Sequence, residues 1–147
     1  MIRPIASPHV DLAARLRLAV TRTARRLRQE AGTDLSPSLT AALATVERHG
    51  PLTPSELAEA ERVQRPTATR IAARLEVAGL LERTGDPRDG RVTLLSVTPE
   101  AIALLRKLRT RKNAYLARRL KELPADDLAA LGRAADVLER LLEDERR

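Results

Sequence analysis

The sequence contains no cysteine, which excludes disulfide cross-links, thiol-based redox sensing and cysteine-ligated metals. Aromatic side chains are almost missing: Tyr115 stands alone, with no Phe and no Trp. Modules that bind single strands or read RNA stack bases on such rings, so a nucleic-acid partner here would be a duplex. Imidazoles are confined to His9 and His49. Both are expected at the surface, because neither has the clustered carboxylate or histidine neighbours a metal site needs. No stretch approaches the ~20 apolar residues of a membrane-spanning helix, and Met1 to Pro8 is too short for a signal peptide. The protein is therefore expected to be soluble and cytoplasmic. It has no Gly-rich phosphate loop and no catalytic constellation, so neither an enzyme nor a cofactor is expected.

What is present is positive charge and helical periodicity. The 147 residues suffice for one domain with a real core, or for one domain with helical extensions. A net charge of +7 points to a polyanionic partner, nucleic acid first and an acidic membrane surface second.

Taken in order, residues up to Pro8 carry two prolines and read as an irregular arm. A helix then fits from about His9 to Ala31, with Leu12, Leu16, Val20, Ala24 and Leu27 at helical spacing and Gly32 closing it. Its remaining faces hold Arg15, Arg17, Arg22, Arg25, Arg26 and Arg28, which suit a solvated surface as well as DNA contact. Ser36 before Pro37 is an N-cap signal for a helix carrying Leu39, Ala42, Leu43 and Val46, which ends at Gly50-Pro51. Thr53-Pro54-Ser55-Glu56 has the capping-box spacing and opens a short helix through Leu57, Ala58 and Ala60. A turn at Glu61 to Gln64 follows, with Val63 expected as a core plug. The next helix spans about Arg65 to Ala78, with Gly79 as its C-terminal cap. Two short helices across a tight turn make a helix-turn-helix.

An extended segment begins at Leu80. Gly85-Asp86-Pro87-Arg88-Asp89-Gly90 is dense in turn residues, and Val92 to Val97 reads as the returning strand. A hairpin directly after a helix-turn-helix is a wing. Thr98-Pro99 opens a long, very basic helix to about Glu122, whose apolar stripe fails in RTRKNA between Arg109 and Ala114. Leu123-Pro124 breaks it. A last helix repeats Leu128, Leu131, Ala135, Leu138 and Leu142 in a coiled-coil-like seam.

The second helix of the helix-turn-helix carries the functional signal. At about 100° per residue, Ala68, Ile71, Ala72, Leu75 and Ala78 share one face. Pro66, Thr69, Arg70 and Ala73 lie opposite, with Thr67 and Arg74 on the shoulder. This outer face is cationic and otherwise small, and a helix of that width fits the major groove of B-DNA. Arg70 suits either bidentate guanine reading or a phosphate contact, while Thr69 and Ala73 suit a thymine methyl. Ser38, Ser55, Gln64, Arg65, Thr67, Arg74 and Arg88 are candidate phosphate contacts that would fix register without reading sequence. Thr53 is already explained by capping. Asp89 facing DNA makes sense only if it holds an arginine, Arg91 first or Arg88 second; the alternative is a hairpin ion pair with no DNA role.

Three stretches, TPSELAE, RPTATRIAARLEVAGLLER and DGRVTLLSVT, together resemble the MarR family of bacterial winged-helix transcriptional regulators. The likeness spans almost the whole chain. The last stretch has the family's wing pattern, with Asp89, Arg91 and Thr98 in register and Val97 where Leu is usual. The resemblance implies a homodimer, roughly triangular, whose first and last helices interleave while two winged lobes face the DNA. It also implies Arg91 in the minor groove, oriented by Asp89, and Pro66, Thr67, Thr69 and Arg70 nearest the base edges. Family members often respond to small aromatic anions, but no sensing residue is assignable here, and the zinc-responsive branch would need more ligands than this chain has.

The expected fold is mainly α with a small β-hairpin wing. A DNA-binding domain over residues 36–98, with its recognition helix at 65–79 and wing at 84–92, is flanked by dimerisation segments at 1–35 and 99–147. The expected function is a homodimeric, sequence-specific regulator of transcription that binds double-stranded DNA, with repression expected ahead of activation, on a near-palindromic operator and with room for a small-molecule effector. Two other readings use the same residues: a sequence-blind architectural DNA binder, and a winged-helix adaptor for protein contacts.

Overall fold

The computed structural model describes residues 7–144. Residues 1–6 of the expected arm, and residues 145–147, lie outside the described ones. The chain forms two compact units, Met1–Lys112 and Asn113–Arg147.

In the first unit, α1 (Pro8–Ala31) starts with a proline in its first turn and ends at Gly32, whose φ of 65° is left-handed. The α1 C-terminus is satisfied from a distance: Arg111 Nη1 donates to the Ala31 carbonyl at 2.9 Å. α2 (Pro37–His49) is capped by Ser36, whose Oγ accepts from Leu39 N at 3.3 Å. α3 (Pro54–Ala60) has the full capping box. Thr53 Oγ1 accepts from Glu56 N at 3.1 Å, and Thr53 N donates to Glu56 Oε2 at 2.8 Å. α4 spans Arg65–Val77, one residue short of the expected end, because Ala78 already serves as the cap before Gly79.

β1 (Leu81–Gly85) and β2 (Thr93–Val97) form the antiparallel wing, with Leu81 opposite Val97 and Arg83 opposite Leu95. Val92 belongs to the tip rather than to the strand. α5 (Pro99–Leu120) follows, and in the second unit α6 (Ala125–Asp144) completes the chain.

The core of the first unit is built from short side chains. Leu43, Val46, Leu57, Leu75 and Leu95 are its largest fully buried residues; Ala42 and Ala72 sit where α2 and α4 approach each other, and Ala101 joins the core from α5. With no Phe or Trp to fill volume, alanines let these elements approach one another. One tie has no counterpart in the periodicity: Leu52 N donates to Leu95 O at 3.0 Å and Leu95 N to Leu52 O at 2.7 Å. This bridge fastens the wing to the entry of α3.

Thr98 is the second fastening. Its buried hydroxyl accepts from Ala101 N at 3.2 Å, capping α5, and donates to Gly79 O at 2.7 Å. Its own N–H donates to Leu80 O at 3.2 Å. The end of α4, the base of the wing and the start of α5 therefore meet on one side chain. Gly79 can present that carbonyl because its φ of 74° is left-handed, where a Cβ is costly. Thr98→Val keeps the shape but removes both hydroxyl bonds. The expected cost is about 1.5 kcal/mol, read as a melting-temperature drop of roughly 5 °C by circular dichroism; an unchanged melting curve would show that the hydroxyl is dispensable.

Candidate nucleic-acid interface

The turn between α3 and α4 is held from two sides. Val63 N donates to Ala58 O at 3.0 Å, and Thr45 on α2 donates its hydroxyl to Glu61. Arg62 adopts a left-handed φ of 53°, a conformation uncommon outside glycine and asparagine. Val63 is only half-buried and stands outside the core cluster. It is therefore not the core plug its apolar side chain suggested; the backbone bonds set the turn instead.

α4 rests on Ala68, Ala72 and Leu75, all buried, with Ile71 half-buried beside them. Ala78 is exposed, a departure from the expected apolar face, because the helix has ended and its chain is turning toward Gly79. Pro66, Thr69, Arg70, Ala73 and Arg74 are exposed and Thr67 is half-buried. Arg70 Nη2 lies 3.3 Å from Thr67 Oγ1, a long contact that leaves most of the guanidinium's donors uncommitted to that partner. Thr69 Oγ1 donates back to Arg65 O at 3.0 Å, so the hydroxyl is used on its own helix. Gln64 stands at the N-cap without a side-chain cap bond.

At the wing tip two aspartates fold the loop. Asp86 Oδ1 accepts from Arg88 N at 2.8 Å, and Asp89 Oδ1 accepts from Arg91 N at 3.1 Å. Backbone bonds from Asp86 N to Val92 O and from Val92 N to Asp89 O close it, at 2.9 and 3.0 Å. Arg91 Nε is 3.5 Å from Asp89 Oδ1 while its side chain is 95% exposed. An ion pair this open contributes little to stability, about 0–1 kcal/mol. The same carboxylate oxygen that accepts from the Arg91 backbone N–H thus also lies beside its guanidinium.

Two clefts gather most of the candidate residues. The first, about 380 Å³, lies between the start of α2 and α4 and includes Ser38, Thr67, Arg70 and Arg74. The second, about 450 Å³, lies between the start of α3, α4 and the wing and includes Ser55, Arg65, Thr69 and Arg91. Pro66, Gln64, Arg88 and Asp89 line neither cleft. Arg83, which sequence reasoning treated only as part of a strand, lines the second. It could have been noticed as the one arginine at a position alternating with Leu81, hence on the body side of the wing.

The MarR family profile matches residues 35–93, from just before α2 to the first residue of β2. The HTH-type transcriptional regulator ML2140 of Mycobacterium leprae is 37% identical over 134 residues, 90% of this chain and 94% of that protein. The chain belongs to the MarR family. The family's fold agrees: a crystal structure of a transcriptional regulator from Pseudomonas aeruginosa PA01 superimposes with a TM-score of 0.83 at 35% identity, covering 93% of this chain and 97% of that one. A further relative, the HTH-type transcriptional repressor MdtR of Bacillus subtilis, is 32% identical over 113 residues, 72% of this chain and 73% of that protein.

This MarR-family protein is thus a DNA-binding transcriptional regulator built on a winged helix-turn-helix. Its charge is distributed unevenly. Residues 36–98 carry equal numbers of basic and acidic side chains, and the surplus of positive charge lies in the segments before and after them. The cationic character of the interface is therefore a matter of placement. Among the described residues, no cluster of His, Asp or Glu could hold a metal ion, and no helix is long and apolar enough to cross a membrane.

Proposed function

We propose that this MarR-family protein acts as a homodimeric, sequence-specific repressor, with α4 in the major groove and Arg91 in the adjacent minor groove. The observation that carries the reading is the outer face of α4: Arg70, Thr69 and Ala73 point to solvent over a base of buried alanines. Arg70 is assigned to a guanine, through the planar fork that makes arginine the commonest specific reader of that base. Thr69, its hydroxyl turned onto Arg65 O, offers its methyl to a thymine, and Pro66 and Thr67 complete the near-base set. Ser38, Ser55, Gln64, Arg65, Arg74 and Arg88 are assigned to phosphates. Arg91 enters a narrow minor groove, where negative potential is concentrated, and Asp89 orients it.

Dimerisation is supported by apolar surface that the chain itself leaves uncovered. On α1, Leu12 and Val20 are each 51% exposed; on α6, Leu131 and Leu142 are exposed and no described residue is buried. Such stripes at helical spacing are unusual on a monomer. Repression rather than activation rests on the likeness to MdtR, which is named a repressor. A two-fold dimer implies a near-palindromic operator with half-sites about one helical turn apart, roughly 10 bp.

The test is a binding titration on an operator selected from random duplex, against scrambled competitor, over a salt series. Between about 50 and 200 mM salt the affinity is expected to fall by about a thousandfold, as for a protein meeting six or more phosphates. A flat salt response, or no preference over scrambled duplex, would contradict the reading.

A further inference from the structure

The cleft between the start of α3, α4 and the wing has a chemistry of one kind. Thr53, Ser55 and Thr93 contribute hydroxyl-bearing side chains, Thr69 has its hydroxyl turned onto Arg65 O, and Arg65, Arg83 and Arg91 contribute guanidinium groups. No carboxylate lines it. Two carboxylates outside the lining are each engaged with one of its arginines: Asp89 with Arg91, and Glu76 with Arg83. The second pair spans two elements. Arg83 faces Leu95 across the wing, and since cross-strand partners share a face, it lies on the side of the buried Leu81 and Leu95. From there its Nε donates to Glu76 Oε1 in the last turn of α4. The guanidinium has five donors; binding through Nε leaves those of the two terminal nitrogens for whatever occupies the cleft.

We infer that this cleft seats the phosphate backbone of one DNA strand and that Glu76 is a positioning residue, holding Arg83 so that its terminal nitrogens meet a phosphate. The inference rests on the major- and minor-groove placement proposed above. The two grooves of a duplex are separated by a ridge of phosphates. If α4 lies in one groove and Arg91 in the next, that ridge must pass between α4 and the wing, where the hydroxyls and arginines are. Arg83 thereby joins the phosphate-binding set, and a carboxylate that would otherwise repel DNA becomes part of the binding machinery.

The sign of one substitution separates this from simple charge repulsion. Glu76→Ala and Glu76→Gln each remove one negative charge near DNA, but only Glu76→Ala removes the acceptor that holds Arg83 Nε. Alanine is also the better helix former, so a loss with Glu76→Ala is not a helix-propensity effect; melting curves check this. The experiment measures affinity of the full chain for the selected operator and for scrambled duplex. Glu76→Ala is expected to weaken operator binding by about tenfold for each half-site, one charge-assisted contact in each, while Glu76→Gln stays close to wild type. Arg83→Ala is expected to lower the salt slope by about one per half-site, and adding Glu76→Ala to it to change nothing further. Tighter operator binding by Glu76→Ala, or an undiminished Glu76→Ala effect in the Arg83→Ala background, would overturn the assignment. If the wild type shows no operator preference in the same titration, the groove placement itself fails and the assignment falls with it, whereas intact wild-type preference with an inert Glu76→Ala overturns the positioning role alone.

Discussion

Arg70→Ala is expected to weaken binding by about 5- to 150-fold for each half-site of the selected operator, the worth of one bidentate base contact at about 1–3 kcal/mol. The loss should be selective. Arg70 sits on the outer face of α4, exposed, one position before the half-buried Ile71 and two before the buried Ala72. Its removal leaves the core intact, so the melting curve should not move. In a series of operators with single base-pair changes, the wild type should discriminate at one position per half-site where Arg70→Ala does not. Arg70→Lys sharpens the test, since a lysine keeps the charge but lacks the planar fork. It is expected to retain affinity for scrambled duplex and to lose the base preference. Uniform weakening of every sequence by Arg70→Ala would instead place Arg70 on a phosphate.

Leu131→Asp is expected to convert the protein from dimer to monomer at micromolar concentration, as read by analytical ultracentrifugation. In the isolated chain Leu131 is 48% exposed, so the substitution should cost the protomer little. In a two-fold interface the same change appears twice, and each buried, unpaired carboxylate costs several kcal/mol. Leu16→Asp on α1 is expected to act in the same way, because Leu16 belongs to the apolar stripe of that helix and is 38% exposed. Operator affinity should then fall by about 100-fold or more, because the second half-site no longer binds at the effective concentration set by the first. A variant that stays dimeric, or a wild type that is monomeric at that concentration, would remove the support that the exposed stripes lend to dimerisation.

The parts of this molecule that were legible in its sequence are those governed by local rules. Thr53 and Glu56 announce a helix start because a capping box is a three-residue spacing, and both of its bonds form. The Gly85–Gly90 turn cluster marks the wing tip because Asp86 and Asp89 fold the backbone onto themselves two residues on. The alternation of buried Ala68, Ala72 and Leu75 with exposed Arg70 and Ala73 follows from helical period alone.

What was hidden depends on partners far away in the chain. The failing stripe at RTRKNA looked like excess charge. Within it, Arg109 reaches Glu47, 62 residues away, at 2.7 Å, and Arg111 reaches the end of α1, 80 residues away. Leu52 is a single residue between Pro51 and Thr53, too short for any strand pattern, and acquires its role only when Leu95 lies opposite. The pairing of Glu76 with Arg83 crosses a helix end and a glycine, where no spacing rule applies. Net charge was a true hint with a misplaced origin: it pointed to DNA, yet the winged segment is balanced and gains its cationic face from where its arginines project.

The central claim is that two copies of α4 read one duplex at a fixed separation. Hydroxyl-radical footprinting of the wild-type protein on the selected operator tests it most directly. The expected pattern is two equivalent protected patches related by two-fold symmetry, about one helical turn (roughly 10 bp) apart between centres, with minor-groove protection beside each where Arg91 enters. A single protected patch, or protection spread evenly without symmetry, would contradict it.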